Sequence, residues 1–352
     1  MPFKPRGLAT AIGSMPHLDP STACRFILRT FEEIPFWPQL PQISFVENMY
    51  AQWIGGMPGI KIDFQKGKIF FEDVLKVDEE VEKFYEKYLA ADLDAFALTE
   101  KSASGFHKML NTLKDNLPPK LKILKGQITG PISLGLAITD ENKNPLVYQE
   151  ILADAMAKTL SLKARWQEKI LKEAVPQAET LIFIDEPTLM CYGSAYLSLE
   201  RDQVISLLNE VISSLEGLKG AHCCGNTDWG LLLDTSVDVI SFDAYDYTEN
   251  LALYTQKLKK FLDRGGILAW GIVPTSLPDP SIIDREDVAS LLKKLEEKMA
   301  LLVADGLDKE QLLESSLITP NCGTGSMSVA QAEKTLGLTQ ALSEKFRSKY
   351  FS

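Results

Sequence analysis

Mainly apolar runs that alternate with amphipathic segments restrict the fold of this chain more than any other feature. The runs over residues 180–184, 237–242 and 266–273 are each followed by a longer stretch with helical periodicity. A strand that is apolar on both faces is buried on both faces, which is typical of a parallel sheet covered by helices. Strand-like runs are centred near residues 9, 44, 124, 182, 220, 240, 269 and 317. Eight β/α units predict an α/β fold, a single (β/α)8 TIM barrel over residues 1–352.

The start of the chain predicts a strand followed by a helix. Residues 7–17 indicate a short strand that enters a tight turn at Gly13 and Ser14. Asp19 before Pro20 has the residue types preferred at a helix N-cap and first helical position. No glycine-rich phosphate loop follows this strand, which argues against a dinucleotide-binding fold.

Residues 34–72 interrupt the regular alternation. Prolines and aromatic residues within 34–41 indicate a rigid loop, and residues 43–46 predict the second strand, with Glu47 at its end. Two alternating runs within 58–72 predict a hairpin inserted near the N-terminus of the barrel.

Charge and cysteine usage exclude several functional classes. The chain has 352 residues and a formal net charge of −11, so nucleic acid and anionic membrane surfaces are not expected partners. No apolar run reaches the ~20 residues of a membrane span, and the N-terminus lacks the apolar core of a signal peptide. The five cysteines are scattered, which does not suit a disulfide framework. We therefore expect a cytoplasmic protein whose thiols serve metal or thiol chemistry.

A His-x-Cys pair is the most distinctive local motif. His222 and Cys224 end a strand-like run, and side chains two apart on a strand point to the same face. An imidazole nitrogen and a thiolate suit zinc. Cys322 lies 98 residues further on, so only the fold could bring it to this pair. The alternative is that these cysteines pack as small apolar side chains, as buried cysteines commonly do.

Polar residues collect just beyond the carboxyl ends of the predicted strands. In a barrel those ends converge on one mouth, where active sites lie. Loops begin at strand ends and are polar anyway, which explains Asp and Thr well but explains two Cys and a His poorly. The residues in these positions are Ser14, Glu47, Thr129, Asp185, Glu186, His222, Cys224, Asp243, Thr275 and Cys322.

This order of motifs resembles the catalytic half of cobalamin-independent methionine synthase. The same superfamily contains uroporphyrinogen decarboxylase and corrinoid-dependent thiol methyltransferases. The similarity extends from about residue 8 to 345. It is carried by the segments 10–16, 127–131, 184–187, 222–226, 239–243 and 320–323.

The resemblance implies a zinc site and a set of substrate-binding residues. His222, Cys224 and Cys322 would hold zinc, and the family's acidic ligand falls on Asp243, where methionine synthases carry the longer Glu. Asp243 and Asp185 are the implied catalytic residues. The residues implied to bind an amino acid substrate are Ile12, Ser14, Glu47 and Asp185.

The reaction implied by the resemblance is methyl transfer to a substrate thiol, most simply homocysteine to give methionine. The chain begins directly at the catalytic half, without the barrel-like half that binds methyl folate in the full-length enzymes. The expected methyl donor is therefore a methylated corrinoid on a separate protein.

Three alternatives remain open at this stage. Coenzyme M could replace homocysteine as the thiol. A metal-free decarboxylase of the uroporphyrinogen type would hold a polycarboxylate with Arg6, Arg25 and Arg29. A protein that stores zinc or docks a corrinoid without catalysing a reaction would keep the metal ligands alone.

Overall fold

A computed structural model describes residues 3–72, 77–275, 279 and 281–351. The strands are β1 Ile60–Asp63, β2 Lys68–Phe71, β3 Ile123–Thr129, β4 Glu179–Asp185, β5 Leu218–Cys223, β6 Val239–Phe242, β7 Ile267–Val273 and β8 Ser316–Pro320. The helices are α1 Pro20–Thr30, α2 Asp78–Leu89, α3 Ser104–Asp115, α4 Pro131–Ala137, α5 Glu150–Ala174, α6 Arg201–Ile212, α7 Trp229–Leu233, α8 Thr248–Ala252, α9 Thr255–Asp263, α10 Ile282–Arg285, α11 Val288–Ala304, α12 Lys309–Glu314 and α13 Val329–Tyr350.

The six strands β3 to β8 form one parallel half-barrel sheet in sequence order. Helical segments lie between each pair of strands, as parallel crossovers require. The register places Asp185 beside His222 and His222 beside Ser241. The predicted mixed α/β fold with a parallel sheet is therefore confirmed for β3 to β8.

Two extended segments lie along the edges of this sheet. Ala9 bridges Ile318 of β8, Phe36 bridges Lys125 of β3, and the two segments meet each other where Ser14 bridges Gln39. Each contact is an isolated parallel bridge rather than a ladder. Proline lacks the N–H that a ladder needs, and this part of the chain contains Pro16, Pro35, Pro38 and Pro41.

The prediction of a second strand at residues 43–46 is wrong. Phe45–Glu47 is a short 3-10 helix, and sheet-like pairing occurs instead at Phe36 and Gln39, in the segment predicted as a rigid loop. Four residues of β-forming type carry too little preference to override packing. The predicted first strand near residue 9 is likewise a bridge rather than a regular strand.

Other local predictions hold. The hairpin is formed by β1 and β2, which pair antiparallel from Ile60–Phe71 to Asp63–Lys68. Asp19 caps α1, its carboxylate accepting from the N–H groups of Ser21 and Thr22.

Both faces of the sheet are buried, which explains the apolar runs. Phe183 and Val239 pack in an inner cluster, whereas Ile182 and Ile240 belong to the large cluster shared with the helices. Each fully buried aliphatic or aromatic side chain stabilises the fold by roughly 1.5–3 kcal/mol. Polar side chains lie on the inner face chiefly towards the carboxyl ends of the strands. We therefore expect a functional site at this end of the sheet.

Among the described helices, none combines the length and the apolar character needed to span a bilayer.

Candidate metal centre

His222, Cys224 and Cys322 form one cluster, called the metal cluster below. His222 lies in β5, Cys224 follows its last residue, and Cys322 follows β8 by two residues. One ring nitrogen and the two sulfur atoms lie within 4.8 Å of one another. Zinc–ligand bonds of about 2.0–2.3 Å could gather such atoms around a common ion after small side-chain rotations. The cluster can hold a metal ion, and two sulfurs with one imidazole are a donor set that favours zinc.

The ring of His222 is oriented for metal binding. Its Nδ1 lies 3.0 Å from Ser241 Oγ on β6. When Nδ1 donates its hydrogen to Ser241, the lone pair of Nε2 is free. Nε2 is buried and has no hydrogen-bond partner among the described residues. A buried orphan nitrogen in a cysteine cluster fits a metal ion, because a ligating His holds its second nitrogen in this way.

The two cysteines of the cluster shift the pKa of each other in opposite directions. The hydrogen bond from Cys322 and the neighbouring His222 lower the pKa of Cys224, although burial acts in the opposite direction. The same hydrogen bond and burial raise the pKa of Cys322. A thiolate is therefore favoured at Cys224, and binding of a metal ion would release the proton of Cys322.

The other buried cysteines differ from this pair. Burial raises the pKa of Cys223 and of Cys24 to about 12. Cys223 Sγ lies 3.5 Å from the carbonyl oxygen of Gly225, and Cys24 Sγ lies 3.7 Å from that of Gly105. Both pack as small core side chains.

Asp243 lies outside the metal cluster and is held by protein donors. One carboxylate oxygen accepts from the N–H of Asp246 at 3.0 Å, and the other accepts from Asn321 Nδ2 at 3.1 Å. Asn321 Oδ1 in turn accepts from the N–H and hydroxyl of Thr275. Burial raises the pKa of Asp243 to about 6. Joining the metal would require Asp243 to leave Asn321, and its role as a ligand stays a prediction.

Asp185 has an unpartnered carboxylate oxygen at the carboxyl edge of the sheet. It ends β4 beside His222, and its Oδ1 is buried without a partner among the described residues. Burial raises its pKa to about 6, while His222 and Lys125 lower it. A buried carboxylate oxygen without a donor is costly, so this oxygen is suited to a cationic group of a ligand.

The neighbouring Glu186 is used structurally. Its carboxylate accepts from the N–H groups of Ile132 and Ser133 and from the Ser133 hydroxyl, at 2.7–2.9 Å. These are donors at the N-terminus of α4, where negative charge is favourable. Glu186 is therefore a cap of α4, although it was singled out with the other strand-end residues.

Glu47 is buried at the end of its short 3-10 helix. Its Oε2 has no partner among the described residues, and burial raises its pKa. Its neighbour Met49 accepts from the Thr129 hydroxyl at the end of β3. Tyr50 is close enough to Cys224 for that charge to raise the Tyr50 pKa, although burial is the larger cause. The segment 47–50 thus reaches the carboxyl edge of the sheet.

The turn over residues 12–14, called the N-terminal turn below, contacts the loop after Cys322. The Ser14 carbonyl accepts from the N–H and hydroxyl of Thr324, and Ser14 Oγ accepts from the Gly325 N–H at 3.3 Å. The N–H groups of Gly13 and Ser14 donate to no acceptor in the described part of the chain. Adjacent free N–H groups form a site for a carboxylate.

Sequence reasoning gave no role to Lys125, Ser241, Asn321 or Tyr50. Only Lys125 carried a usable signal, a single charge within the otherwise apolar start of β3. Ser241 and Asn321 are identified only by the groups that they contact.

Comparison with protein-family models and with curated proteins finds no match to this chain.

Proposed function

We propose that the fold is a single closed (β/α)8 barrel. Residues 8–14 and 35–39 would supply its first two members between β8 and β3. The support is the chain of backbone hydrogen bonds from Thr10 to Ile318, Gln39 to Gly13 and Lys125 to Pro35, at 2.9–3.1 Å. In such a barrel the metal cluster, Asp185 and the N-terminal turn share one mouth.

We further propose that the protein is a zinc-dependent methyltransferase that moves a methyl group to a substrate thiol. The observation that carries the proposal is the meeting of His222 Nε2, buried and without a partner, with the sulfurs of Cys224 and Cys322. When bound, zinc would lower the pKa of an acceptor thiol and keep the thiolate available for reaction. The three protein ligands leave a fourth position for that thiol.

The groups around the metal cluster favour an amino acid thiol, with homocysteine first. Asp185 offers an unpartnered buried oxygen to an ammonium group. The free N–H groups of Gly13 and Ser14 offer two donors to a carboxylate. The turn contacts the loop after Cys322, so both ends of an amino acid could be held while its thiol reaches the metal cluster.

Coenzyme M is the second candidate thiol. Its sulfonate could use the same N–H groups, but it has no ammonium to meet Asp185. We propose a methylated corrinoid protein as the donor in either case, and methyl folate as the alternative. The thiol ligands must stay reduced, which suits the cytoplasm.

A decarboxylase of the uroporphyrinogen type is less well supported. Arg6 forms an ion pair with Glu314, at the end of the helix that precedes β8. Arg25 donates to Thr22, and Arg29 lies over the ring of Phe26 on the same helix. None of these contacts directs a guanidinium to the metal cluster.

Metal analysis combined with a transfer assay tests the proposal. Purified protein is expected to carry about one zinc ion and to convert homocysteine to methionine with methylcobalamin or methyl folate as donor. The variant Cys224→Ser should lose zinc and turnover, whereas Cys191→Ser, at another half-buried cysteine outside the metal cluster, should keep both. Zinc without turnover would favour a storage or docking role, and a metal-free wild type would contradict the proposal.

A further inference from the structure

Lys125 is a buried lysine on the inner face of the sheet. It belongs to β3, is 1 % exposed and extends among the inner cluster, with its ammonium 4.3 Å from the ring centroid of Phe183. Burying a charge without an anionic partner is costly, so a lysine in this position needs a physical reason.

The amino group of Lys125 has no anionic hydrogen-bond partner in the described part of the chain. Its Nζ donates to the carbonyl oxygen of Ile12 at 2.6 Å and to Gln127 Oε1 at 3.3 Å, both of which are uncharged acceptors. Asp185 is the carboxylate whose charge acts on Lys125, yet the two form no ion pair in the described residues. Burial lowers the pKa of Lys125 to about 7, while the charge of Asp185 acts in the opposite direction. An anion bound next to this amine would favour its protonated form.

Lys125 also fixes the N-terminal turn. Its bond to the Ile12 carbonyl holds the first peptide of the turn, while the Gly13 carbonyl accepts from the Gln39 N–H. Gln127 closes the other side, since a Cβ at Gly13 would lie 2.6 Å from its side-chain carbonyl carbon. With these carbonyls occupied, the N–H groups of Gly13 and Ser14 remain among the donors of the turn without an acceptor in the described part of the chain.

We propose that Lys125 is a positioning and specificity-determining residue that makes the enzyme select acceptor thiols carrying a carboxylate. It orients the N-terminal turn through Ile12, and its ammonium form, which a bound carboxylate favours, adds to the field of the two free N–H groups. Charge and oriented N–H dipoles act in the same direction on an anion, and little water is present to screen them. This inference rests on the proposed function.

Binding of three thiols to the zinc-loaded protein, measured by titration calorimetry, tests the inference without turnover. The probes are homocysteine, a mercaptobutanoate that lacks its amino group, and an aminopropanethiol that lacks its carboxylate. In Lys125→Met we expect Kd to rise at least about tenfold for the two carboxylates, the loss of one charge-assisted contact. The Kd of the aminopropanethiol should change less than about twofold on this scale, because that probe makes no such contact.

Lys163 provides a matched control. It is another buried lysine, 2 % exposed, which lies in α5 and is not part of the metal cluster. In the described part of the chain its Nζ donates to the carbonyl oxygen of Phe96 at 3.2 Å. Lys163→Met should leave all three Kd values and the zinc content unchanged. Lys125→Gln keeps a donor for the Ile12 carbonyl without the charge, and it decides the question if Lys125→Met does not fold.

The possible results separate the two proposals. If the Kd values of all three thiols rise equally, or if none of them changes, the role of Lys125 is overturned, while the protein remains a zinc protein that binds thiols. A wild-type protein that binds zinc but no thiol overturns the proposed function and the role of Lys125 together.

Discussion

The two sides of the proposed site are built in different ways. The metal cluster lies at the ends of β5 and β8, two members of a regular parallel sheet. The N-terminal turn belongs to a segment with only isolated bridges. Regular strands fix the directions of side chains, which metal ligation requires, but they use up backbone N–H groups. The irregular segment leaves N–H groups free, which the binding of a carboxylate requires. Changes on one side should therefore leave the function of the other intact.

The largest expected effect is the loss of a metal ligand. His222→Ala or Cys322→Ser should weaken zinc binding by more than about a hundredfold, since even residues that only orient a ligand cost 10–100-fold. Zinc content after dialysis against a chelator measures this. Circular dichroism should show that both variants remain folded, because neither substitution changes the inner cluster or the large cluster that the sheet shares with the helices. Retention of zinc by either would contradict the ligand assignment.

A substitution in the N-terminal turn should weaken thiol binding and stability while leaving zinc binding unchanged. Gly13 has φ +148°, and an added Cβ would meet Gln127. We expect Gly13→Ala to lower the free energy of unfolding in urea by about 1–3 kcal/mol and to weaken homocysteine binding, with zinc content unchanged.

Gly337 gives the control for this substitution. It lies within α13, and an added Cβ would meet nothing within 4 Å. Gly337→Ala should raise the free energy of unfolding by about 0.5–1 kcal/mol, because alanine favours a helix. If Gly13→Ala also removed zinc, the two sides of the site would not be separable.

Ser241 tests how far orientation of His222 matters. Ser241→Ala removes the hydroxyl that lies 3.0 Å from Nδ1. We expect roughly tenfold weaker zinc binding, the lower end for loss of a group that orients a ligand. Chelator competition measures the change, and Ser343→Ala serves as a control because that buried hydroxyl binds the Gly7 carbonyl instead. Equal zinc affinity in Ser241→Ala and wild type would show that packing alone orients the ring.

The smallest expected effect lies outside both sides of the site. Burial lowers the pKa of Lys163 to about 8, well below its ordinary value of 10.5. The unfolded chain then binds more protons than the folded chain between these two pH values, so this lysine makes stability rise with pH across that range. Its contribution is fully present above the unfolded pKa and is lost as pH falls through the folded pKa.

Urea unfolding at several pH values checks this sign. The stability of Lys163→Met should exceed that of wild type most below pH ~8, and the difference should shrink by about 1 kcal/mol or more towards pH ~10. Zinc and thiol binding should not differ. If the difference in the free energy of unfolding between variant and wild type does not vary with pH, the pKa of Lys163 is not lowered in the folded protein.

The residues of the site differ in how far they were predictable. His222 and Cys224 could be paired from the strand period, and Cys322 from its place after a later strand. Glu186 had the same strand-end position as Asp185, yet it caps α4. Lys125 was missed because a lysine in a strand usually lies on a solvent-facing edge, and only the packed inner cluster shows that this one is buried.

The sequence alone determined the parallel α/β sheet, the order of its strands and the chemical types gathered at their ends, because each follows from local periodicity or from residue chemistry. The tertiary structure decided that Phe36 and Gln39, rather than residues 43–46, make the bridges beside β3. It also decided that Asp243 binds Asn321, and that Gly13 and Ser14 keep free N–H groups. These outcomes depend on which distant part of the chain the fold places opposite each group, and no local pattern encodes that pairing.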